Sequence, residues 1–406
     1  MKILLAGQAF YEHNNGQAVF TINLAEGLAA AGHEVMVLAP ARPGHSHRTE
    51  QQGVIVQAVP ALPLGYNANI TAFSDRQVAQ IGAAFAPDVV HIQDHYFLSR
   101  SVLRMVRQQP IKHIGTNHFL PANLTDNFHL PRWLSAPVED WLWRNMLEVY
   151  NHLDGVTTPT ETGVAILKQA GLRAPVQAIS CGVDAWQFRP RPQLDKAVMR
   201  RKYGLAVDKA LLLYVGRLDA EKCLDLVIQA LATLKRNDVQ FAMAGVGRHS
   251  HELAALVREL GLVDQVCFTG FVPAADLPLL LNSADAFVMP SHAELQSIAT
   301  LEAMASGLPV LAANACALPE LVQPDVNGYL FAPYDSAALA GSITTLLHNR
   351  VRWADMGAAS RVKVQVHTRA HTIQRYLDWY QEVRQTSPLL APPHPIFQMH
   401  WAQPHG

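Results

Sequence analysis

The chain has 406 residues, 50% of them hydrophobic and 16% charged, with a formal net charge of −1. That length is too great for one core and suits two domains, and the balanced charge argues against a nucleic-acid binder. The four cysteines (Cys181, Cys223, Cys267, Cys316) are widely spaced in apolar stretches, so neither a disulfide framework nor a structural zinc site is expected, and reduced thiols point to the cytoplasm.

The opening run MKILLAGQAF is too short for a signal peptide and reads as a first strand, and no window reaches the length of a membrane span. A helix is expected over Val19 to Gly32, where Phe20, Leu24, Leu28 and Ala31 recur at helical spacing, and a second strand over Glu34 to Leu38. Strand–helix–strand alternation continues: strands at 54–59, 89–92, 113–116, 155–158 and 176–179, and helices at 75–85, 99–107, about 134–153 and 162–171. This is the signature of a parallel, doubly wound α/β sheet. The segment Phe188-Arg189-Pro190-Arg191-Pro192 breaks the rhythm and reads as a linker. A second series follows, with strands at 211–215, 241–244, 266–269, 286–289, 310–312 and 328–331. Helices alternate with them at 224–234, 251–260, 277–282, 297–307, 318–322, 336–348 and 351–366. The expected division is a first domain over 1–187, a second over 193–368, a helix over 369–386 that returns to the first domain, and a disordered Pro- and His-rich tail over 387–406. Two such domains leave a cleft where strand ends face one another, and ligands bind at those ends.

The most informative stretch is Ser291 to Gly307, SHAELQSIATLEAMASG. Ser297 is a good helix N-cap, and Gly307 before Leu308-Pro309 is a good stop. Glu294 then lies on the loop above the helix and Glu302 one to two turns down it. The free amides of Ile298 and Ala299 point up between them, a ready phosphate site flanked by carboxylates suited to sugar or ribose hydroxyls. Taken alone, this stretch is better read as a capped surface helix with two solvated carboxylates. The loop Gly216-Arg217-Leu218-Asp219-Ala220-Glu221-Lys222 follows the first strand of the second series. Arg217 and Lys222 suit a diphosphate, although either could equally pair with Asp219 or Glu221 in a salt-bridged turn. Gly245, in a G-x-G after a strand, and Gly270 with Val272 could let backbone approach a nucleobase, though tight turns explain them as well. In the first domain Gly16 could admit a ligand closely, and His118 sits at a strand end facing the cleft; with 19 histidines in the chain, a single one is more often incidental. Asp94 and His95 end another strand. His91, His95 and His118 could converge, but no tightly spaced metal triad is evident. Trp133, Trp141 and Trp143, beside Arg132 and Arg144, suit a membrane interface or lipid groove. Packing of these aromatics inward or around the acceptor mouth is the favoured alternative. No G-x-G-x-x-G follows the first strand, which counts against a nicotinamide or flavin enzyme.

Together these motifs resemble the retaining glycosyltransferases of family 4, which have the GT-B fold. The resemblance runs to about Gln385. It rests on Gly16, Gly32-His33-Glu34-Val35, Asn117-His118, Gly182-Val183-Asp184 with Phe188, Gly216-Arg217-Leu218 with Glu221-Lys222, and Glu294 with Glu302 and the following Ala303–Val310. The chain departs from the family at Asn15-Gly16, where a double glycine is common, and at Ala315-Cys316-Ala317-Leu318, where Gly-Gly often precedes Pro319-Glu320. Asn117–Pro121 and Leu318-Pro319-Glu320 look most like members that glycosylate lipids, such as diacylglycerol glucosyltransferases and sulfoquinovosyl-lipid synthases. The resemblance implies two Rossmann-like domains and transfer of a hexose from a nucleotide sugar, UDP-linked, to an acceptor hydroxyl with retention. No metal or other cofactor is implied. Arg217, Lys222 and the amides near Ser297 and Ile298 would hold the diphosphate, Glu302 the ribose, Glu294 the hexose, and His118 the sugar from the opposite domain. A cytoplasmic protein touching the inner membrane face, with a lipid acceptor, is the corresponding expectation. The rivals are a UDP-sugar epimerase, which should lack the Arg217/Lys222 and Glu294/Glu302 set, and a catalytically silent sugar-nucleotide or membrane-surface binder.

Overall fold

The computed structural model describes residues 1–10, 16–41, 45–63, 69–71, 74–106, 109–127 and 131–385; the tail over 387–406 and the Asn15 position lie outside them. The strands of the first half are β1 (Lys2–Ala6), β2 (Glu34–Pro40), β3 (His47–Gln51), β4 (Val54–Val59), β5 (Leu62–Pro63), β6 (Asn69–Ile70), β7 (Val89–Ile92), β8 (Lys112–Thr116), β9 (Gly155–Thr158) and β10 (Val176–Ala178). Eight of them form a sheet in the order β10-β9-β8-β7-β1-β2-β4-β3, parallel throughout except that β3 runs antiparallel to β4. β5 and β6 form a separate antiparallel pair. In the second half β11 (Ala210–Val215), β12 (Val239–Ala244), β13 (Val266–Gly270), β14 (Ala286–Met289), β15 (Val310–Ala313) and β16 (Gly328–Phe331) form an all-parallel sheet in the order β13-β12-β11-β14-β15-β16. Each sheet reverses its winding once, between β1 and β7 and between β11 and β14, which opens a crevice at the carboxyl ends of the central strands.

The central strands are continuous apolar runs because helices cover both faces. In β1, Ile3 and Leu5 join one core with Phe20 and Leu24, while Leu4 and Ala6 join another with Val90, Ile92 and Val102. The helix Arg369–Gln385 completes the first of these cores with Ile373, Tyr376, Tyr380 and Val383, so the last described helix belongs to the first lobe's packing. Its hydroxyls enter a buried polar chain. Tyr380 Oη lies 2.8 Å from His91 Nδ1, His91 Nε2 lies 2.7 Å from Thr116 Oγ1, and Tyr376 Oη lies 3.1 Å from Thr157 Oγ1. His91 is thereby committed to the fold, and burial lowers its pKa to about 3.

Several elements differ from the expectation. β3 has no counterpart among the expected elements: every one of its residues is exposed and no apolar alternation marks it. The short helices Pro121–Asn127 and Lys196–Lys202 lack a long apolar stripe. The single helix expected over 351–366 is a helix Trp353–Lys363 flanked by 3-10 turns at Arg350–Arg352 and Val364–His367.

Candidate active site

Between the two sheets lies a cavity of about 680 Å³. Its first-lobe wall includes Gly16, Gln17, His118 and Asn123, and its second-lobe wall includes Gly216, Arg217, Lys222, Gly247, Arg248, Glu294, Ser297, Ile298 and Ala299. The second-lobe residues come from the loops after β11, β12 and β14, the two strands that flank the winding reversal and their neighbour.

The loop after β11 turns at Gly216, whose φ of +149° favours glycine and whose added Cβ would meet Tyr214 Oη at 2.6 Å. Arg217 donates to Asp219 and, at 2.8 Å, to Glu221 Oε1. Lys222 Nζ donates to Glu294 Oε1 at 2.6 Å and lies 3.7 Å from Glu221 Oε1. Burial works against the Lys222 ammonium, but Glu294 and Glu221 outweigh it and its pKa is raised. The salt-bridged turn weighed from the sequence is therefore present, and it is also the cationic wall of the cavity. Glu221 is 1% exposed and one of its oxygens, Oε2, has no partner.

The helix Ile298–Ala305 begins at the cavity. Ser297 caps it, its Oγ accepting from Thr300 N at 3.1 Å, and the amides of Ile298 and Ala299 remain at the helix tip. Arg217, Lys222, Glu294 and this tip thus converge on one space. A diphosphate there would meet two cations and the positive end of a helix.

Glu302, one turn inside the helix, lies outside that lining. It is half-buried, its carboxylate has no hydrogen-bond or ion-pair partner among the described residues, and burial pushes its pKa up to about 8. Gly245, Gly270 and Val272 also lie outside it. A Cβ on Gly245 would stand 1.8 Å from Gly216 O, and its amide bonds Gly270 O at 2.9 Å, so this glycine serves the close approach of two strand ends. Val272 packs against the second-lobe core. The ligand-facing glycine of that loop is Gly247, two positions on. Its signal was the second glycine of the same G-x-G.

On the first lobe, His118 packs its ring 4.6 Å from that of Phe20, and burial lowers its pKa to about 3. Its Nε2 is buried without a partner. Asp94 does not reach the cavity; it accepts from Gln8 N at 2.6 Å, Ser99 Oγ at 2.8 Å, Tyr96 N at 3.0 Å and Gln17 Nε2 at 3.3 Å, and shapes the loop after β7. His95 is buried against Tyr96, Phe119 and Tyr150, with its pKa lowered to about 4 by burial. The aromatic segment departs from inward packing, one of the two arrangements favoured above. Trp133 and Trp141, on the helix Arg132–Tyr150, are 77% and 57% exposed, and Trp143 alone of the three packs inward. Trp143 and Arg144 line a second cavity with Asp140, Leu147, Ile166 and Gln169.

The lobes meet beside the main cavity. Gln296 Oε1 accepts from Cys181 N at 2.7 Å and Ser180 Oγ at 3.0 Å, and Thr160 Oγ1 donates to Leu295 O at 2.9 Å. Glu320 Oε1 accepts from Thr162 N at 2.7 Å at the start of the helix Glu161–Gln169.

Comparison with known proteins gives the same partition. The family described as "Glycosyl transferases group 1" matches residues 195–363, and "Glycosyltransferase Family 4" matches residues 14–187. The chain is 31% identical over 370 residues to a D-inositol 3-phosphate glycosyltransferase of Frankia alni, covering 86% of this chain and 89% of that protein. It is 26% identical over 360 residues to an alpha-monoglucosyldiacylglycerol synthase of Streptococcus pneumoniae, covering 86% and 78%. It is 29% identical over 303 residues to a sulfoquinovosyl transferase of Arabidopsis thaliana, covering 72% of this chain but 56% of that longer protein. Among solved structures, sucrose-phosphate synthase from Thermosynechococcus elongatus superposes with a TM-score of 0.80 at 22% identity, covering 94% of this chain and 99% of the other. The Anabaena protein HepE in complex with UDP-glucose superposes with a TM-score of 0.75 at 22% identity, covering 94% and 100%. These two share the two-lobed architecture.

Proposed function

The chain belongs to glycosyltransferase family 4 and has the GT-B fold, and from that premise we propose that it moves a hexose from a UDP-sugar, glucose or a relative, to an acceptor hydroxyl with retention of configuration. The observation that carries this reading is the convergence of Arg217, Lys222, Glu294 and the Ser297-capped helix tip on one interlobe cavity. The diphosphate rests against Lys222, Arg217 and the amides of Ile298 and Ala299, and Glu294 faces the hexose hydroxyls. His118 closes on the sugar from the first lobe, neutral because burial disfavours its charged form. In the reaction the bond from the anomeric carbon to the diphosphate oxygen breaks and a bond to the acceptor oxygen forms on the same face. The acceptor's proton passes to an oxygen of the departing diphosphate. Fixed positive groups aimed at that leaving group supply the main stabilisation, a role a metal ion fills elsewhere. Glu302 takes the ribose hydroxyls.

UDP as the carrier is supported by the UDP-glucose complex of the HepE neighbour. A lipid acceptor is supported by the diacylglycerol-glycosylating relative and by the exposed Trp133 and Trp141. The expected site of action is cytoplasmic, at the inner membrane face; no helix of the described residues is long and apolar enough to cross a membrane. A thermal-shift screen of nucleotide sugars, followed by hydrolysis of the best stabiliser, tests the reading. Turnover abolished by Glu294→Ala and by Lys222→Ala is expected, with EDTA leaving it intact. Binding without turnover would leave a silent sugar-nucleotide binder instead.

A further inference from the structure

The cavity is electrostatically divided. Among the described residues its formal charges, Arg217, Asp219, Lys222, Arg248 and Glu294, all stand on the second lobe, whereas the described first-lobe wall is built from Gly16, Gln17, His118, Asn123, Pro159 and Cys181. Two of these first-lobe groups hold buried polar atoms with no partner among the described residues, His118 Nε2 and Asn123 Oδ1. Such atoms are uncommon in a native fold unless a ligand or water satisfies them. Asn123 lies on the short helix Pro121–Asn127, which rests against the turn Ala220–Lys222, and it lines the same cavity as Arg217 and Lys222. His118 is already occupied by the hexose in the function proposed above. Asn123 has no such assignment.

We propose that Asn123 is the acceptor-selecting residue of this cavity: its side-chain amide seats a hydroxyl next to the attacking one on an uncharged polyol, and an acceptor phosphorylated at that neighbouring position is disfavoured there. The chemistry follows from the wall. An amide oxygen accepts from a neutral hydroxyl, which completes its own unmet bond. A phosphomonoester dianion at that seat brings acceptor oxygens that only the amide N–H groups of Asn123 could meet, and its charge calls for cations that the described first-lobe wall does not hold. The described cations of the cavity face the donor diphosphate from the other lobe. Burial keeps His118 uncharged near neutral pH, so it adds no cation to this wall. The chain thereby departs from relatives whose names carry a phosphorylated inositol as acceptor. This inference rests on the transferase reading and names the substrate class of the same site.

The test uses the full chain with UDP-glucose and matched acceptor pairs: glycerol and glycerol 3-phosphate, myo-inositol and its 3-phosphate, monoacylglycerol and monoacylglycerol phosphate in detergent micelles. The neutral member of at least one pair is expected to be used about tenfold or more better than its phosphorylated partner. In Asn123→Ala the acceptor KM is expected to rise about tenfold more than the donor KM, the scale of one lost hydrogen bond with a buried partner. Near-isosteric Asn123→Asp keeps the accepting oxygen but adds charge, so the preference for the neutral member should widen. Preference for the phosphorylated members, transfer to no neutral member, or equal movement of both KM values in Asn123→Ala overturns the inference while donor hydrolysis still stands. A wild-type chain that hydrolyses no nucleotide sugar overturns the transferase reading and this one with it.

Discussion

Lys222 Nζ stands 2.6 Å from Glu294 Oε1, joining the loops after β11 and β14 across the point where the second sheet reverses its winding. Both side chains are largely withdrawn from water, at 15% and 13% exposure, and the buried Glu221 lies 3.7 Å from the same ammonium. The pair therefore serves two ends: it holds the two halves of the crevice in register, and it keeps a charged lysine ready for a phosphate. Removing one member leaves the other buried and uncompensated. Lys222→Met is expected to destabilise the chain by about 3 kcal/mol, the usual scale for breaking a buried pair. Lys222→Met/Glu294→Gln should recover most of that loss, since no unpaired charge remains. Neither variant should recover sugar transfer, which is expected to fall about a hundredfold or more. Urea denaturation beside donor-hydrolysis rates separates the two effects.

Glu302 gives a pH signature with a definite sign. Its pKa is about 8 in the folded chain against an ordinary 4.5, the cause being burial. Between those values the native state binds a proton that the unfolded chain has released. The contribution of this group to stability is full below pH 4.5 and is lost as pH rises towards 8. Glu302→Gln should flatten that decline, seen as urea midpoints at pH 5 and 8.5 that lie closer together than in the wild type. If the ribose hydroxyls donate to the carboxylate, kcat/KM for the donor should rise with pH towards 8 in the wild type and not in the variant.

The sequence was legible where a local pattern matched a local cause. Short runs rich in β-branched and apolar residues marked β7, β9, β14 and β16 with the bounds now seen, because strands covered on both faces need no alternation. Ser297 marked a real cap because its side chain bonds within three residues. The cavity itself was only half legible. Arg217, Lys222, Glu294 and Ser297 belong to two compact motifs. Asn123 reaches the same space through long-range topology, and Gln17, Cys181 and Tyr214 reach it beside Gly16, Gly182 and Gly216 without a chemical signal of their own. Asp94 and His95 illustrate the opposite error. A strand end at a crevice suggested a ligand, whereas Asp94 spends its oxygens on four internal donors and His95 is packed among aromatic rings.

Gly245 and Gly270 separate close approach from mere backbone freedom. Gly245 has φ +152° and no room, its Cβ position lying 1.8 Å from the carbonyl oxygen of Gly216. Gly270 has φ +69° and open space around it. Gly270→Ala is expected to cost about 1 kcal/mol, the strain of a left-handed alanine. Gly245→Ala must push two strand ends apart and is expected to cost several times as much, about 3 kcal/mol or more, by analogy with overpacked cores. Because Gly216 leads into Arg217, the same displacement should also raise the donor KM, whereas Gly270→Ala should leave it within about twofold. Thermal melts and donor titrations of both variants check the contrast.

Trp133 and Trp141 pose the remaining question of why a helix should hold two indoles in water. They stand eight residues apart on the helix Arg132–Tyr150, hence about 80° apart around its axis and within one broad face. Leu134 beside them is 36% exposed and Leu124 on the preceding helix is 37% exposed, so the apolar surface extends past a single side chain. Indoles favour the headgroup region of a bilayer, where the ring is buried and the N–H stays hydrated. A lipid acceptor would have to be drawn from such a surface into the cavity. Flotation with anionic phospholipid vesicles should therefore bring the chain to the lipid fraction. Trp133→Ser/Trp141→Ser should weaken partitioning about tenfold or more, since burying one large apolar side chain contributes about 1.5–3 kcal/mol. The same variant should melt within a few degrees of the wild type, because neither indole belongs to a core. Transfer to a water-soluble acceptor should persist while transfer to vesicle-borne lipid falls. A wild-type chain that stays wholly in the soluble fraction would show that these indoles serve some contact other than a membrane.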